Sequence, residues 1–130
     1  MIDKIAWLHL RDGKILVART KGRSKYYIPG GKREVGETDL QTLIREIKEE
    51  LSVDISPETV QFYGIFIAQA DSHATGIKVK MTCYLAEFKG EIQPATEIES
   101  IKFADNSNLD QVSFVDNLIF ADLRAKGLLD

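Results

Sequence analysis

The sequence predicts an α/β sandwich, and three observations predict it. Apolar residues recur at helical spacing in two segments, residues 38–51 and 114–126. Shorter apolar or alternating runs, bounded by glycine and polar turns, occur before, between and after the first of these. Strands mixed with helices in this way build sheets covered by helices rather than separate all-β and all-α units. With 130 residues and no internal repeat or linker, residues 1–130 are expected to form one domain.

The elements follow in order. Ile2 to Leu10 alternates loosely and ends at Asp12-Gly13, a strong hairpin signal, so Lys14 to Arg19 reads as the return strand. Residues 20–25 are a polar loop, and Tyr26 to Ile28 a short strand. Thr38 reads as the N-cap of the first helix, with Gln41 completing a capping box. Leu40, Leu43, Ile44, Ile47 and Leu51 form its apolar stripe. Ser56-Pro57-Glu58 ends that unit. Val60 to Ala70 and Ile77 to Lys89 read as two long strands joined by a polar loop, residues 71–76, and Glu99 to Phe103 as a short one. The second helix, Phe114 to Lys126, places Val115, Leu118, Ile119 and Leu123 on one face and stops near Gly127.

The first helix carries the chemistry. At about 100° per residue, Glu46, Glu49 and Glu50 fall together on one flank of the apolar stripe. Each like-charge pair at this spacing costs an exposed helix roughly 0.2–0.5 kcal/mol. A solvated acidic face is the plain reading. A divalent cation among the carboxylates is the sharper one, and oxygen-only ligands favour Mg²⁺, with Mn²⁺ as the alternative.

Spacing decides between them. Gly31, Glu37, Arg45, Glu46, Glu49 and Glu50 match all but one of the polar and glycine positions of G-x5-E-x7-R-E-U-x-E-E-x-G-U, where U is aliphatic. Ile47 and Val53 fill the aliphatic positions, and Ile28-Pro29-Gly30-Gly31 leads in. A chance match at these six positions is on the order of one in ten million per register. The segment closely resembles the Nudix box, and the one departure is Ser52 in place of its second glycine. That residue ends the helix, where a left-handed backbone favours glycine. The resemblance implies a Nudix fold, a mixed β-sheet sandwiched between α-helices, and hydrolysis of a nucleoside diphosphate linked to another group.

It also implies roles. Glu46, Glu49 and Glu50 would hold Mg²⁺, with the Gly30 carbonyl as a further ligand; Glu97, and after it Glu99, could add a carboxylate from the loop before the last strand, with a solvent-exposed side chain as the competing reading. Glu46 is the candidate to orient or deprotonate water. Arg45 and Glu37 would pair to fix the glycine turn, with Arg45 orienting Glu46. Arg19 and Lys32 lie in a cationic segment before the box and could meet a phosphate chain. Trp7, Tyr26, Tyr27 and Phe66 are aromatics that could stack on a base, each also a plausible core residue. Asp116 and Asn117 open the second helix, where MutT-like members place a polar reader of a purine edge; helix capping is the competing role. His73 in the 71–76 loop could reach a substrate, with a solvated loop side chain as the plain reading.

The substrate expected is a nucleoside triphosphate, cleaved to a monophosphate and pyrophosphate. Dinucleoside polyphosphates and nucleotide sugars are the alternatives, and a non-catalytic nucleotide sensor is a third. Net charge is −3, the opposite of a protein that binds nucleic acid through its whole surface. Apolar runs are too short to cross a membrane, and Asp3 and Lys4 interrupt any opening signal segment, so a cytoplasmic location is expected. The single Cys83 reads as buried core. A homodimer is an expectation from the resemblance alone.

Overall fold

The computed structural model describes residues 1–130. Strand β1 (Ile2–Leu8) lies inside a four-stranded mixed sheet with β4 (Gly30–Lys32), β7 (Lys78–Leu85) and β6 (Gln61–Gln69), in the order β4-β1-β7-β6. It runs parallel to β7 and antiparallel to β4. Its last four residues are buried because both faces of the sheet are covered. Ile5 and Trp7 pack against Leu43, Ile47 and Leu51 of helix α1 (Asp39–Leu51). Ala6 and Leu8 pack on the other side with Ile119, Phe120 and Leu123 of helix α2 (Phe114–Ala125). Period-two side-chain alternation along one strand thus divides the core into two layers, and the expected helix–sheet–helix sandwich results.

The hairpin at Asp12-Gly13 is present, with both residues at positive φ (52° and 76°). It joins less chain than expected. Only β2 (Leu10–Arg11) pairs with β3 (Lys14–Thr20), and these form a second sheet with β9 (Ile98–Ala104). The long run from Ile2 divides at His9, so β1 and β3 belong to different sheets. Residues 77–89 divide similarly: β7 ends at Leu85, and β8 (Phe88–Lys89) pairs with β5 (Asp54–Ile55). Tyr26 to Ile28 is no strand. Tyr26 and Tyr27 make single bridges to Val112 and Ala18, and the strand falls on Gly30–Lys32 instead. Short 3₁₀ turns occupy Pro57–Thr59 and Asn106–Gln111.

Helix α1 begins with the expected capping box between Thr38 and Gln41. It ends on Ser52 at φ 65°, the left-handed conformation that the box normally gives to glycine. The Ser52 hydroxyl donates to the Gln93 carbonyl at 3.0 Å, which offsets part of that strain. Leu40 and Leu118 leave the predicted stripes and face solvent, while Phe120 joins the core. Trp7 is fully buried with its indole N–H on the Ala86 carbonyl, so it is a core residue and not a base-stacking surface. Phe66 likewise packs against the α2-side core. Cys83 is fully buried, and burial pushes its thiol up to about 12.

Candidate active site

The site begins where two glycines let β4 approach β1. Gly30 has φ 149°, and a Cβ there would lie 2.0 Å from the Ile5 carbonyl oxygen. Only glycine permits the Ala6–Gly30 pairing. A Cβ on Gly31 would stand 2.4 Å from the carboxyl carbon of Glu46. The bare backbone of Gly31 is therefore the surface against which the Glu46 carboxylate rests.

Arg45 organises the turn. Its Nε and Nη2 donate to the two oxygens of Glu37 at 2.7 and 2.9 Å, a bidentate pair. Nη2 also donates to the Lys32 carbonyl at 3.0 Å, and Nη1 to Glu46 Oε1 at 2.9 Å. Glu37 further accepts from the Glu34 amide and the Thr42 hydroxyl. The Arg45 side chain beside it holds the Glu37 carboxyl down to about 2. One guanidinium thus ties the loop before α1 to β4 and to Glu46. Arg45 and Glu37 are placed as supports of the turn.

Glu50 sits one turn beyond Glu46 and is largely buried. Its Oε2 accepts from the Gly30 amide at 3.3 Å. Burial raises its carboxyl most, followed by the nearby Glu46 carboxylate; the Gly30 bond opposes this, and Glu97 adds a small upward push. Two carboxyls in contact, one of them desolvated, either share a proton or ionise together around a cation. This donor set fits a hard divalent cation. The full set is not gathered: no three His, Cys, Asp or Glu side chains stand close enough to share one ion. The Glu49 side chain is 55% exposed and its nearest cation is Arg45 Nη1, at 3.4 Å. Glu97 and Glu99 are exposed.

A cavity of about 260 Å³ opens beside these groups. Gly30, Gly31 and Glu50 form one wall, and Tyr27, Lys4, Arg23, Asp71 and His73 are among the cavity's other polar or aromatic groups. Tyr27 and the loop residue His73 both line the cavity. Lys4 and Asp71 were not singled out from the sequence, and Arg23 only as part of the cationic segment before the box. Lys4 had a legible signal, a cation inside an otherwise apolar strand; burial lowers its ammonium pKa, with Asp116 opposing. Asp71 carried none, since it lies in a polar loop.

Other expected site residues lie off the cavity wall. Arg19 donates to the Arg23 carbonyl and faces the Tyr26 ring. Lys32 is exposed, and its carbonyl serves Arg45. Asn117 donates to the carbonyls of Leu109 and Ser113. Asp116 is fully buried and accepts from the Ile28 amide at 3.0 Å, pinning the chain just before the glycines. Its other oxygen has no partner, and burial pushes its carboxyl up to about 7. Neither residue caps α2, since Ser113 takes that role.

Comparison with known proteins agrees with this geometry. The family model described as "NUDIX domain" matches residues 4–121. A CTP pyrophosphohydrolase of Escherichia coli is 30% identical over 98 residues, covering 72% of this chain and 68% of the relative. An ADP-ribose pyrophosphatase of Methanocaldococcus jannaschii is 28% identical over 115 residues, covering 86% of this chain and 66% of the relative. The chain thus spans about two thirds of the length of these relatives. The solution structure of the E. coli ORF135 protein superposes with a TM-score of 0.75 at 26% identity, covering 100% of this chain and 95% of that one.

Proposed function

The chain belongs to the Nudix domain family, hydrolases of phosphorus anhydrides, and from that premise we propose that it is a MutT-like nucleoside triphosphate pyrophosphohydrolase dependent on Mg²⁺. Water would cleave the bridge between the α and β phosphates, giving a nucleoside monophosphate and pyrophosphate. The observation that carries this reading is the Glu46–Glu50 carboxyl pair set against the Gly30-Gly31 backbone, with Glu50 on the wall of a cavity that Lys4 and Arg23 also line. The relative named as a CTP pyrophosphohydrolase favours a triphosphate among the possible anhydrides.

Glu46 and Glu50 would hold the cation, and Glu49, Glu97 and the Gly30 carbonyl, not gathered around one point in this structure, would have to close on it as further donors. When bound, it would offset diphosphate charge, orient the chain and acidify a water. The rest falls to the protein. Glu46, aimed by Arg45, would take the water proton. Arg45 and Glu37 would hold the turn still. Lys4 and Arg23, on the cavity wall, would face the anionic substrate, and Tyr27 would lie along its base. Arg19, Lys32, Asp116 and Asn117 would act at one remove, through the carbonyls and amides they hold.

The test is a panel of nucleoside triphosphates, dinucleotides and nucleotide sugars with Mg²⁺, read by product identity. Pyrophosphate from a triphosphate is the expected product. Preferential release of a sugar phosphate from ADP-ribose would sink the substrate assignment. Glu50→Gln should remain folded and lose at least about 100-fold in kcat/KM. Undiminished turnover in that variant would refute the metal role.

A further inference from the structure

We propose that Arg33 is a positioning residue for the hydrolysis: it fixes the backbone that seats Arg45 and, through Arg45, the Glu46 carboxylate. The proposal rests on the catalytic reading of Glu46 given above. Residues 33–38 join β4 to α1. The β1–β4 register ends at the Lys4–Lys32 pair, so Arg33 is the first residue past the ladder. Its guanidinium reaches two carboxylates. Nη2 donates to Asp3 of β1 at 2.5 Å, and Nη1 pairs with Asp39, the first residue of α1.

The Arg33–Asp39 pair closes the loop at its mouth. Asp39 is also held from the sheet, because the Tyr84 hydroxyl of β7 donates to it at 2.5 Å. Tyr84 lies beside Trp7 in the sheet register, and Asp3 precedes Ile5 and Trp7 at period-two spacing. Both therefore stand on the face that α1 covers. Two arginines hold this one loop. Arg45 holds it from within, on Glu37 and the Lys32 carbonyl. Arg33 holds it from outside, against the sheet and the start of the helix. They act on the same peptide group: the Lys32 carbonyl that accepts from Arg45 is bonded to the Arg33 nitrogen. That group is planar, so a shift of Arg33 turns the carbonyl and moves Arg45, whose Nη1 aims Glu46.

By sequence Arg33 belongs to the cationic segment before the box, where contact with phosphate is the obvious role. Its position gives no such contact. It does not line the cavity, and both terminal nitrogens are engaged by carboxylates. Nor is stability its main contribution. These ion pairs are partly exposed, and such pairs add little to folding. A displacement near 1 Å at a reacting group, in contrast, costs about 100-fold in rate.

Kinetics and side-chain NMR together test this role. Arg33→Ala is expected to melt cooperatively like wild type and to lose about 10- to 100-fold in kcat on a nucleoside triphosphate with Mg²⁺, with KM within about 3-fold. The Arg45 Nε proton, held by Glu37, should exchange with water at least about 10-fold faster in the variant, with no metal or substrate present. Arg33→Lys keeps the charge but cannot fork between two carboxylates, so it should fall between the two; it carries the same test if Arg33→Ala does not fold. A rise in KM at unchanged kcat would make Arg33 a phosphate contact and overturn the proposal. So would unchanged kinetics, or a loss of kcat with Arg45 exchange as slow as in wild type. Because that exchange is read without substrate, it separates the two readings. A wild type with no hydrolase activity sinks the catalytic one, while faster Arg45 exchange in Arg33→Ala still shows Arg33 to be what seats Arg45.

Discussion

Gly31 shows how much can rest on one missing side chain. Its Cα faces the Glu46 carboxyl, and a methyl group there would force that carboxylate away. Gly31→Ala is therefore expected to fold and to lose about 100-fold in kcat/KM, since a displacement near 1 Å at a reacting group has that effect. Activity within a few-fold of wild type would show that Glu46 is not held where it works. Asp116 is the second decisive residue. Burial raises its carboxyl to about 7 in the folded chain, from an ordinary 3.8. Between those values the unfolded chain releases a proton that the folded chain keeps, so this group's contribution to stability falls as pH rises and levels off above about pH 7. Asp116→Asn lacks that dependence. Relative to wild type it should gain on the order of 1–3 kcal/mol between pH 5 and pH 8. Urea melts with parallel pH profiles would contradict this. The box residues were legible because spacing along a helix determines which side chains meet. Asp116 was legible only as a polar residue, because its partner, the Ile28 amide, is 88 positions away.

At the level of elements, α1 is a helix made rigid at both ends. The Thr38–Gln41 box secures its start, and Ser52 closes it in a conformation that L-residues adopt at a cost. Ser52→Gly removes that cost and also removes the hydroxyl bond to Gln93. The first effect is the larger, so the variant should be more stable by about 0.5 kcal/mol in urea denaturation. A loss of stability would mean that the Gln93 bond, and not the backbone, governs this end. Helices were the readily legible elements, because capping and 3.6-residue periodicity are local. Strand boundaries were less so. The run from Ile2 to Leu10 has no break in composition, yet β1 and β2 enter different sheets at His9. Nothing local marks that division, which depends on where β3 and β7 compete for partners.

For the whole molecule, two apolar layers on either side of one sheet hold the fold without help from an ion. Removing divalent cations with a chelator should accordingly abolish hydrolysis while leaving the circular dichroism spectrum and cooperative melting in place. Unfolding on chelation would assign the cation a structural part that these layers do not call for. Residue order along the chain settled the glycine turn, the capped acidic helix and the two amphipathic faces, because each depends on neighbours within a few positions. It could not settle which side chains share the cavity. Lys4, Arg23, Tyr27 and Asp71 meet Glu50 there from three separate segments, and Arg19 and Asn117 turn aside to nearby carbonyls. Those outcomes follow from sheet order and from competition for buried hydrogen-bond partners, which exist only once the chain has folded.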